Sequence, residues 1–226
     1  MTLLVATGLR REARRIASAG VVAIAGGGDA ARLEAQIEAL AGSAVAILSS
    51  GLAGALSPLL AAGDIVIGTG LVDQPPMASR LADWLVRKLP DARVGLIAAS
   101  DRPVADADAK AALHGRTGAL AVDMESHVAA RVAARHKLPF AALRVISDRA
   151  GDSLPPAALV GMRPDGAIAI GAVLGSLLRH PLQLPALLRT AREAEAAFRA
   201  LGRVHDMLRS AGIGRLDPRE FAFDMA

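Results

Sequence analysis

The chain has 226 residues, a length that suits one large α/β domain, and its 53% hydrophobic but only 2% aromatic residues predict a core of alanine, leucine, valine and isoleucine. The absence of cysteine excludes disulfides, thiolate metal sites and a cysteine nucleophile. The net charge of +4, from 26 basic and 22 acidic residues, is too small an excess to indicate a nucleic-acid partner.

Short apolar runs alternate with helix-period stretches along most of the chain, which predicts an α/β fold with a largely parallel sheet buried on both faces. We predict strands at 2–7, 21–25, 44–50, 64–72, 93–100, 119–123 and 140–147. We predict helices at about 29–41, 78–88, 105–114 and 125–136. The first run, "TLLVAT", is predicted to be a strand rather than a signal peptide, so a cytoplasmic location is expected.

The pattern changes to helix throughout at 164–212, broken only by "RHPLQLP" at 179–185. The apolar stretch "GAIAIGAVLGSLL" at 166–178 is shorter than the roughly 18 residues of a membrane span, which predicts a buried helix. We therefore divide the chain into a catalytic body, 1–178, and a helical extension, 179–226, packed on the same domain. Basic residues in "RREARR" (10–15) and along the extension indicate solvated helix faces, or contacts with phosphate or an anionic membrane.

Ligands of open α/β sheets bind beyond the carboxyl ends of the strands, so polar residues there are site candidates. The turn "AGGGDAA" after the second strand lacks both the lysine of a phosphate loop and the spacing of a dinucleotide fingerprint, which disfavours a dinucleotide-dependent oxidoreductase. A tight turn alone also explains its glycines. After the third strand, Gly51 and Gly54 permit close backbone approach to a ligand.

Acidic residues at strand ends are the stronger signal. Asp123, Glu125 and Asp148 lie at or beside the ends of apolar strands, where partial burial disfavours the charged form of a carboxyl group and suits it to proton donation. The alternatives are that Asp123 or Ser126 caps the following helix and that Asp148 makes a loop hydrogen bond. The five histidines show neither metal spacing nor a Ser-His-Asp pattern, so no metal is predicted.

The segment "AVDMESHVAARVAARHKLPFAALRVISDRAGD" resembles the purine nucleoside phosphorylase and uridine phosphorylase superfamily, and most of all the methylthioadenosine and S-adenosylhomocysteine nucleosidases. The stretches "ATGLRREA", "AGGGDAA" and "SSGLAGALSPLLAAGDIVIG" extend the likeness over about residues 1–153. The resemblance implies a three-layer phosphorylase-like fold with a mixed, mostly parallel sheet. It also implies an enzyme that cleaves the N-glycosidic bond of an adenine nucleoside without a cofactor, by hydrolysis or with inorganic phosphate as co-substrate.

The resemblance implies roles for four residues. Asp148 would be the general acid at purine N7, and Glu12 would orient the attacking water. Glu125 would bind the ribose hydroxyls, and Met124 would lie against the ribose. It further places against the substrate Asp123, Ser147, Gly51, Ala53, Gly54 and Val104.

Several positions depart from the family pattern. Leu52 replaces a hydroxyl residue that touches phosphate or water, and no arginine precedes Gly51 where similar phosphorylases carry one. Arg10 and Arg11 stand beside Glu12 and could instead meet a phosphate. The aromatic residue that stacks on the base is replaced by aliphatic Val104 and its neighbours. These departures favour hydrolysis over phosphorolysis and leave base specificity open.

The arginine-rich, proline-broken extension resembles a superfamily branch attached to hopanoid synthesis, which implies adenosylhopane as substrate and peripheral contact with a membrane. Ordinary packing or an oligomer contact is the alternative role for the extension. A methylthioadenosine or S-adenosylhomocysteine nucleosidase, and a non-catalytic nucleoside-binding module of the same fold, are the alternative functions. The resemblance also implies a homodimer.

Overall fold

Seven strands form the central sheet of the chain, whose computed structural model describes residues 2–74, 79–160 and 169–216. The strands are β1 (Thr2–Thr7), β2 (Val21–Ala25), β3 (Ala44–Ala55), β4 (Ile65–Leu71), β5 (Arg93–Ala99), β6 (Ala121–Asp123) and β7 (Phe140–Asp148). The helices are α1 (Arg10–Ile16), α2 (Ala30–Ala41), α3 (Arg80–Lys88), α4 (Ala107–Thr117), α5 (Ser126–Arg135), α6 (Pro156–Val160), α7 (Ile170–Arg179) and α8 (Leu184–Ser210). Short 3-10 helices lie at Pro181–Gln183 and Ile213–Arg215.

The sheet is mixed and mostly parallel, as predicted. The parallel pairs are β1 with β2, β1 with β3, β3 with β7, β4 with β5, and β5 with β6. The antiparallel pairs are β3 with β6 and β4 with β7. Because β3 pairs with β1, β6 and β7, the strands from β3 through β7, β4, β5 and β6 close into a ring, and β1 and β2 extend the sheet from it.

Most predicted strands have the expected bounds, and those of β1 and β2 agree residue for residue. The main difference is β3, which was predicted to end at residue 50 and continues to Ala55. Its last part is held by backbone pairing, since Gly54 pairs with Val122 of β6 and with Asp148 of β7. A glycine-rich segment carries no apolar alternation, so its strand character comes from these neighbours.

Helices cover both faces of the sheet and give the fold three layers. On one face, α2 and α5 pack on each other and on the sheet around Leu33, Ile37 and Val128. On the other face, α1, α3 and α8 pack on the sheet. The residues buried there include Ile16 of α1, Trp84 of α3 and apolar residues in the C-terminal part of α8. The apolar interior is aliphatic, as the composition predicts, and it fixes the strand ends that carry the acidic residues.

The C-terminal part of the chain differs from the prediction in one respect. The sequence predicts a buried helix at 166–178, and the described part of it, α7, is exposed, with only Ser176 buried. The prediction of burial is wrong because α7 packs on α6 and leaves its leucine side uncovered. The predicted break is present between α7 and α8, where Pro185 lies in the first turn of α8. Residues 217–226 of the extension lie outside the described residues.

Helix α8 packs along β7, β3 and α1, where Leu201, Val204 and Leu208 are buried. Buried His205 of α8 shares a hydrogen bond with Ser50 of β3 at 3.0 Å. Burial, followed by the charges of the neighbouring arginines, lowers the pKa of His205 to about 4. None of the helices in the described part of the chain combines the length and apolar character needed to cross a membrane.

Candidate active site

Three acidic side chains lie at or just beyond the carboxyl ends of neighbouring strands. Glu12 is on α1, which follows β1 after a two-residue turn, Glu125 follows β6, and Asp148 is the last residue of β7. The end of β3 runs between them and contributes Gly51 and Gly54. Glu12 and Asp148 lie where parallel β1, β3 and β7 end, as expected for the carboxyl ends of parallel strands, while Glu125 joins them from β6, which is antiparallel to β3.

Glu12 is buried and held by two backbone donors. The Leu9 N–H donates to Oε2 at 2.8 Å, and the Leu52 N–H donates to Oε1 at 2.9 Å. The second bond links α1 to β3 across forty residues of sequence. Burial raises the pKa of Glu12, and the backbone donors and the Arg144 charge oppose that effect. The side chain is therefore fixed in position and retains a basic carboxylate when ionised.

Glu125 differs from Glu12 because its carboxyl group forms no ion pair with the residues that the structure describes; its contact there is a hydrogen bond with the backbone of Met124. Burial raises its pKa to about 8; the positive charge of Arg144 opposes this rise, while the acidic groups of Asp123 and Glu12 add to it. The carboxyl group of Glu125 therefore retains hydrogen-bonding capacity for a polar ligand, and burial favours its neutral form.

Glycines hold the two glutamates close to the backbone. A Cβ added at Gly8 would lie 3.0 Å from Glu125 Oε1 and 3.5 Å from Glu12 Oε2. A Cβ added at Gly51 would lie 3.0 Å from both carboxylate oxygens of Glu12. Any side chain at these positions would displace the acids, so the glycines are needed for close packing rather than for backbone conformation.

Asp148 has a partner on each carboxylate oxygen. The Ser147 hydroxyl donates to Oδ1 at 2.8 Å, and the Lys110 ammonium donates to Oδ2 at 2.5 Å. A Cβ added at Gly54 would lie 3.1 Å from Oδ2, so β3 passes directly beneath this carboxylate. Ser147 also contacts the Ala53 carbonyl oxygen at 3.2 Å, which ties β7 to β3 beside Asp148.

Asp123 is placed differently from its predicted role at the substrate. Its side chain is 0% exposed, and Oδ2 accepts a hydrogen bond from Arg144 Nε at 2.5 Å. Its Oδ1 accepts from the backbone N–H groups of Glu125 and Ser126, which begin α5. Through these bonds Asp123 orients the turn that carries Glu125, and its contact with substrate stays a prediction. The helix-capping alternative describes its geometry.

Arg144 is the cation at the centre of this network and is itself 0% exposed. Its Nη2 donates to the hydroxyls of Ser49 at 2.5 Å and Ser126 at 2.9 Å. Burial alone would lower the pKa of Arg144, but the carboxylates of Asp123 and Glu125 outweigh it and raise the pKa. Arg144 therefore balances the negative charge of the acidic cluster from beneath it.

The other predicted site residues lie around this core. The Met124 methyl group would be 4.0 Å from a Cβ at Gly28, which places Met124 over the glycine turn after β2. Val104 packs instead beside the apolar cluster of Leu56, Ala98, Ala119 and Val122, near the start of α4. Val104 thus lies in the loop before α4, and its contact with the base stays a prediction.

Two of the departures from the family pattern have a structural account. Leu52 packs against α8 beside Ala197 and Leu201, so only its N–H faces the site. Arg11 points away from Glu12, pairing with Glu195 at 2.9 Å and stacking over the Phe198 ring at 4.4 Å. Neither side chain is positioned to bind an anion beside Glu12.

Sequence reasoning missed three residues of this region: Gly8, Lys110 and Arg144. Gly8 and Arg144 could have been found in the sequence, because Gly8 directly follows the first strand and Arg144 is a charged residue inside an apolar strand. Lys110 gave no such signal, because a lysine among alanines in a helix normally faces water. Within residues 2–74, 79–160 and 169–216, no group of three or more metal-binding side chains is arranged around an ion site.

The layered fold and the buried carboxylates at one sheet edge define an α/β protein with an acidic ligand site. A family model described as "Phosphorylase superfamily" matches residues 14–178, which is most of the chain. The chain belongs to the phosphorylase superfamily, and the resemblance found in the sequence is confirmed. A search of curated proteins gave no significant match.

Several solved structures share this fold. The 5'-methylthioadenosine/S-adenosylhomocysteine nucleosidase of Helicobacter pylori with butyl-thio-DADMe-Immucillin-A is 18% identical, with a TM-score of 0.59 over 91% of this chain and 98% of that one. Futalosine hydrolase of Helicobacter pylori is 20% identical, with a TM-score of 0.58 over 79% and 97%. A putative methylthioadenosine nucleosidase of Weissella paramesenteroides is 22% identical, with a TM-score of 0.57 over 90% and 97%. At these identities the likeness establishes the fold.

Proposed function

We propose that this protein cleaves the N-glycosidic bond of an adenine nucleoside by hydrolysis and releases adenine in the cytoplasm. The observation that carries the proposal is the placement of two buried carboxyl groups along β3, with Glu12 beside Gly51 and Asp148 beside Gly54, and of Glu125 beside Gly8. Gly51 and Gly54 are three residues, or roughly 10 Å, apart along the strand, and we propose that the two acids contact different parts of one nucleoside.

Each acid has a separate task in this reaction. Adenine is a poor leaving group as an anion, so Asp148 assists departure by delivering a proton to N7, a form of help worth about 10²- to 10⁴-fold. Glu125 binds the ribose hydroxyls, because its carboxyl group forms no ion pair within the described structure. The carboxylate of Glu12 favours the cationic ribosyl group that develops as the bond breaks. Glu12, fixed by two backbone donors, orients the water that adds to C1′.

The charges around Glu12 favour water over phosphate as the nucleophile. A phosphate dianion in this place would lie against the buried carboxylate of Glu12, and such like charges repel strongly out of water. Arg144, the nearest cation, is already bonded to Asp123 and two serine hydroxyls. Arg11 points towards α8 instead. Phosphorolysis remains the competing route, and it requires an anion site that these contacts do not supply.

We expect adenine release from methylthioadenosine to proceed at the same rate in phosphate-free buffer and in buffer with added inorganic phosphate. The physical reason is the repulsion between phosphate and the Glu12 carboxylate. The measurement is adenine formation by chromatography, with ribose or ribose 1-phosphate identified as the second product. Activity that disappears without phosphate, with ribose 1-phosphate as product, would replace hydrolysis by phosphorolysis.

We further propose that the nucleoside carries a bulky apolar 5′ group, of which the hopanoid chain of adenosylhopane is the leading example. The support is an exposed apolar surface close to the loop that follows Asp148. This leucine face consists of Ile170, Leu174, Leu178, Leu182, Leu184 and Leu188. Methylthioadenosine and S-adenosylhomocysteine are the alternative substrates, and comparing kcat/KM for nucleosides with short and long alkyl 5′ groups separates them.

The leucine face also suits peripheral contact with an anionic membrane. Ile170, Leu174 and Leu178 recur every four residues on one side of α7, and Leu178 is 85% exposed. The exposed residues Arg179 and His180 border them. An apolar stripe edged by basic residues lies readily at a lipid headgroup boundary. A homodimer, which the resemblance implies, remains part of the proposal and would use another surface.

We expect the double substitution Leu174→Glu and Leu178→Glu to abolish binding to phosphatidylglycerol vesicles, because two charges would enter the apolar stripe. Cosedimentation measures the binding. Adenine release from soluble methylthioadenosine should be unchanged, because both residues are on the surface of α7.

The matched control is Leu59→Glu, a substitution of another highly exposed leucine outside the leucine face. This variant should bind vesicles like the wild type. If the wild type ignores vesicles and the double variant instead changes from dimer to monomer in light scattering, then the leucine face is a subunit interface and the membrane proposal is wrong.

A further inference from the structure

Lys110 is a buried lysine whose ammonium group reaches the candidate general acid. It lies in the first half of α4 and is 0% exposed, although its neighbours on that helix are mostly partly or fully exposed. Its Nζ donates to Asp148 Oδ2 at 2.5 Å, to the Arg149 carbonyl at 3.0 Å and to the Asp152 carbonyl at 2.8 Å. Lysine is almost never fully buried without a paired acid, so this placement requires an explanation.

The fold positions Lys110 by two local devices. Asp106 caps α4 by accepting from the Ala109 N–H at 3.0 Å, which fixes the start of the helix. The Leu154 N–H donates to the Ala105 carbonyl at 2.8 Å, and the Ala107 N–H donates to the Ser153 hydroxyl at 3.0 Å. The loop after β7 is thus bound to the start of α4, so that Nζ lies within the curve of that loop.

The pairing changes how Asp148 can act as a proton donor. Oδ2 accepts from Lys110 and Oδ1 accepts from Ser147, so both oxygens act as acceptors in the unliganded protein. A carboxylate in that state has no proton of its own to give. The ammonium group bonded to it does, because Nζ carries three protons and a lysine can lose one when a stronger acceptor is created nearby.

We propose that Lys110 is a positioning residue that holds Asp148 toward the leaving base and supplies the proton which Asp148 passes to it. The inference rests on the proposed nucleosidase function. As the bond between C1′ and N9 breaks, its electron pair enters the purine ring and N7 becomes basic. One proton moves from Nζ to Asp148 and from Asp148 to N7. Adenine leaves neutral, Lys110 is left as an amine and Asp148 as a carboxylate.

The remaining protons balance through the nucleophile. Water adds to the cationic C1′ and loses a proton to Glu12. As products leave, Glu12 releases that proton to solvent and Lys110 takes one proton from solvent, which restores both groups. The other charged groups facing the pair belong to the loop and to α8. Arg149 pairs with Glu193 at 3.6 Å, and the Asp152 carboxylate pairs with Arg189 at 3.0 Å. These groups are therefore neutralised by each other, and Lys110 is the cation bonded to Asp148.

The test compares a base that needs a proton with one that does not. Adenine release from methylthioadenosine requires protonation, whereas 4-nitrophenyl β-D-riboside releases a stable phenolate. Lys110→Met and Lys110→Arg should each lower kcat for adenine release about 10²-fold or more and change nitrophenol release less than about threefold. Arginine keeps the charge and the hydrogen bond but does not lose a proton in proteins, so it separates proton supply from folding.

The pH dependence of adenine release gives a second readout on the same variants. Without Lys110 the proton must reside on Asp148 itself, which becomes easier as the solution becomes more acidic. The ratio of the Lys110→Met rate to the wild-type rate should therefore rise at least about tenfold between pH 8 and pH 5. Taking this ratio cancels the titration of Glu12 and Glu125, which is common to both proteins.

Three outcomes would overturn the inference. Equal losses on both substrates, or a rate ratio that does not change with pH, would make Lys110 a structural residue. A Lys110→Arg variant with the wild-type adenine rate would show that charge alone is sufficient. A wild-type protein that releases no adenine from any adenine nucleoside would instead contradict the proposed function, which is the premise, and thermal melting of each variant identifies loss of fold.

Discussion

Replacement of Asp148 by asparagine is expected to lower kcat for adenine release about 10²- to 10⁴-fold while the protein stays folded. Asparagine has the same shape, and its carbonyl oxygen can still accept from Lys110, but it cannot transfer a proton. Because the role proposed for Asp148 is proton donation to the leaving base, the loss should appear in kcat far more than in KM. Steady-state kinetics with methylthioadenosine and thermal melting are the measurements.

Asp152→Asn is the matched control for that substitution. The Asp152 carboxylate bonds Arg189 on α8, and only its backbone carbonyl touches Lys110, so kcat should stay at the wild-type value. A rate for Asp148→Asn within a few-fold of the wild type would remove Asp148 from the donor role. If neither the wild type nor the Asp148→Asn variant turns over any nucleoside, and the substitution alters only ligand affinity, then the chain is a nucleoside-binding module without catalysis.

The largest effect on stability is expected from Arg144→Met. This substitution leaves the fully buried Asp123 carboxylate without its cation, and breaking a buried pair in this way costs about 3–5 kcal/mol. It also removes the donors that hold the hydroxyls of Ser49 and Ser126. The free energy of unfolding in urea should fall by that amount, with the variant partly unfolded if the wild type has ordinary stability.

Arg131→Met is the control, since Arg131 forms a surface pair with Glu34 and is 42% exposed. Surface pairs contribute about 0–1 kcal/mol, so this variant should melt near the wild type. Adding Asp123→Asn to Arg144→Met should recover part of the loss, because the uncompensated charge is then removed. An Arg144→Met protein as stable as Arg131→Met would mean that the Asp123 carboxylate is not isolated from water.

Much of the fold could be predicted because the strands are apolar runs of ordinary length with polar ends. The antiparallel contacts of β3 and β4 could not be read from the sequence, since pairing direction depends on which strands become neighbours. The exposure of α7 could not be predicted from the sequence either, because an apolar helix in a core and an apolar helix on a surface have the same composition. Burial depends on what lies opposite, and the local sequence does not specify that.

The acids of the candidate site were predictable because each follows an apolar strand. The different roles of these acids were harder to predict. Asp123 and Glu125 are two residues apart in the sequence and differ only in their contacts in the folded chain. Arg144 forms an ion pair with Asp123, while Glu125 forms no ion pair among the described residues. Lys110 comes from a separate helix 38 residues away from Asp148, and only the folded chain brings the two together.

Strand β3 has a consequence for how substrate preference can change in this protein. Gly51 and Gly54 belong to one continuous, hydrogen-bonded strand, so the interval between Glu12 and Asp148, the acids beside these glycines, is set by strand geometry rather than by a loop. Substitutions in the surrounding loops would leave this interval unchanged. Substrate preference could therefore change during evolution while the spacing of these acidic residues is retained.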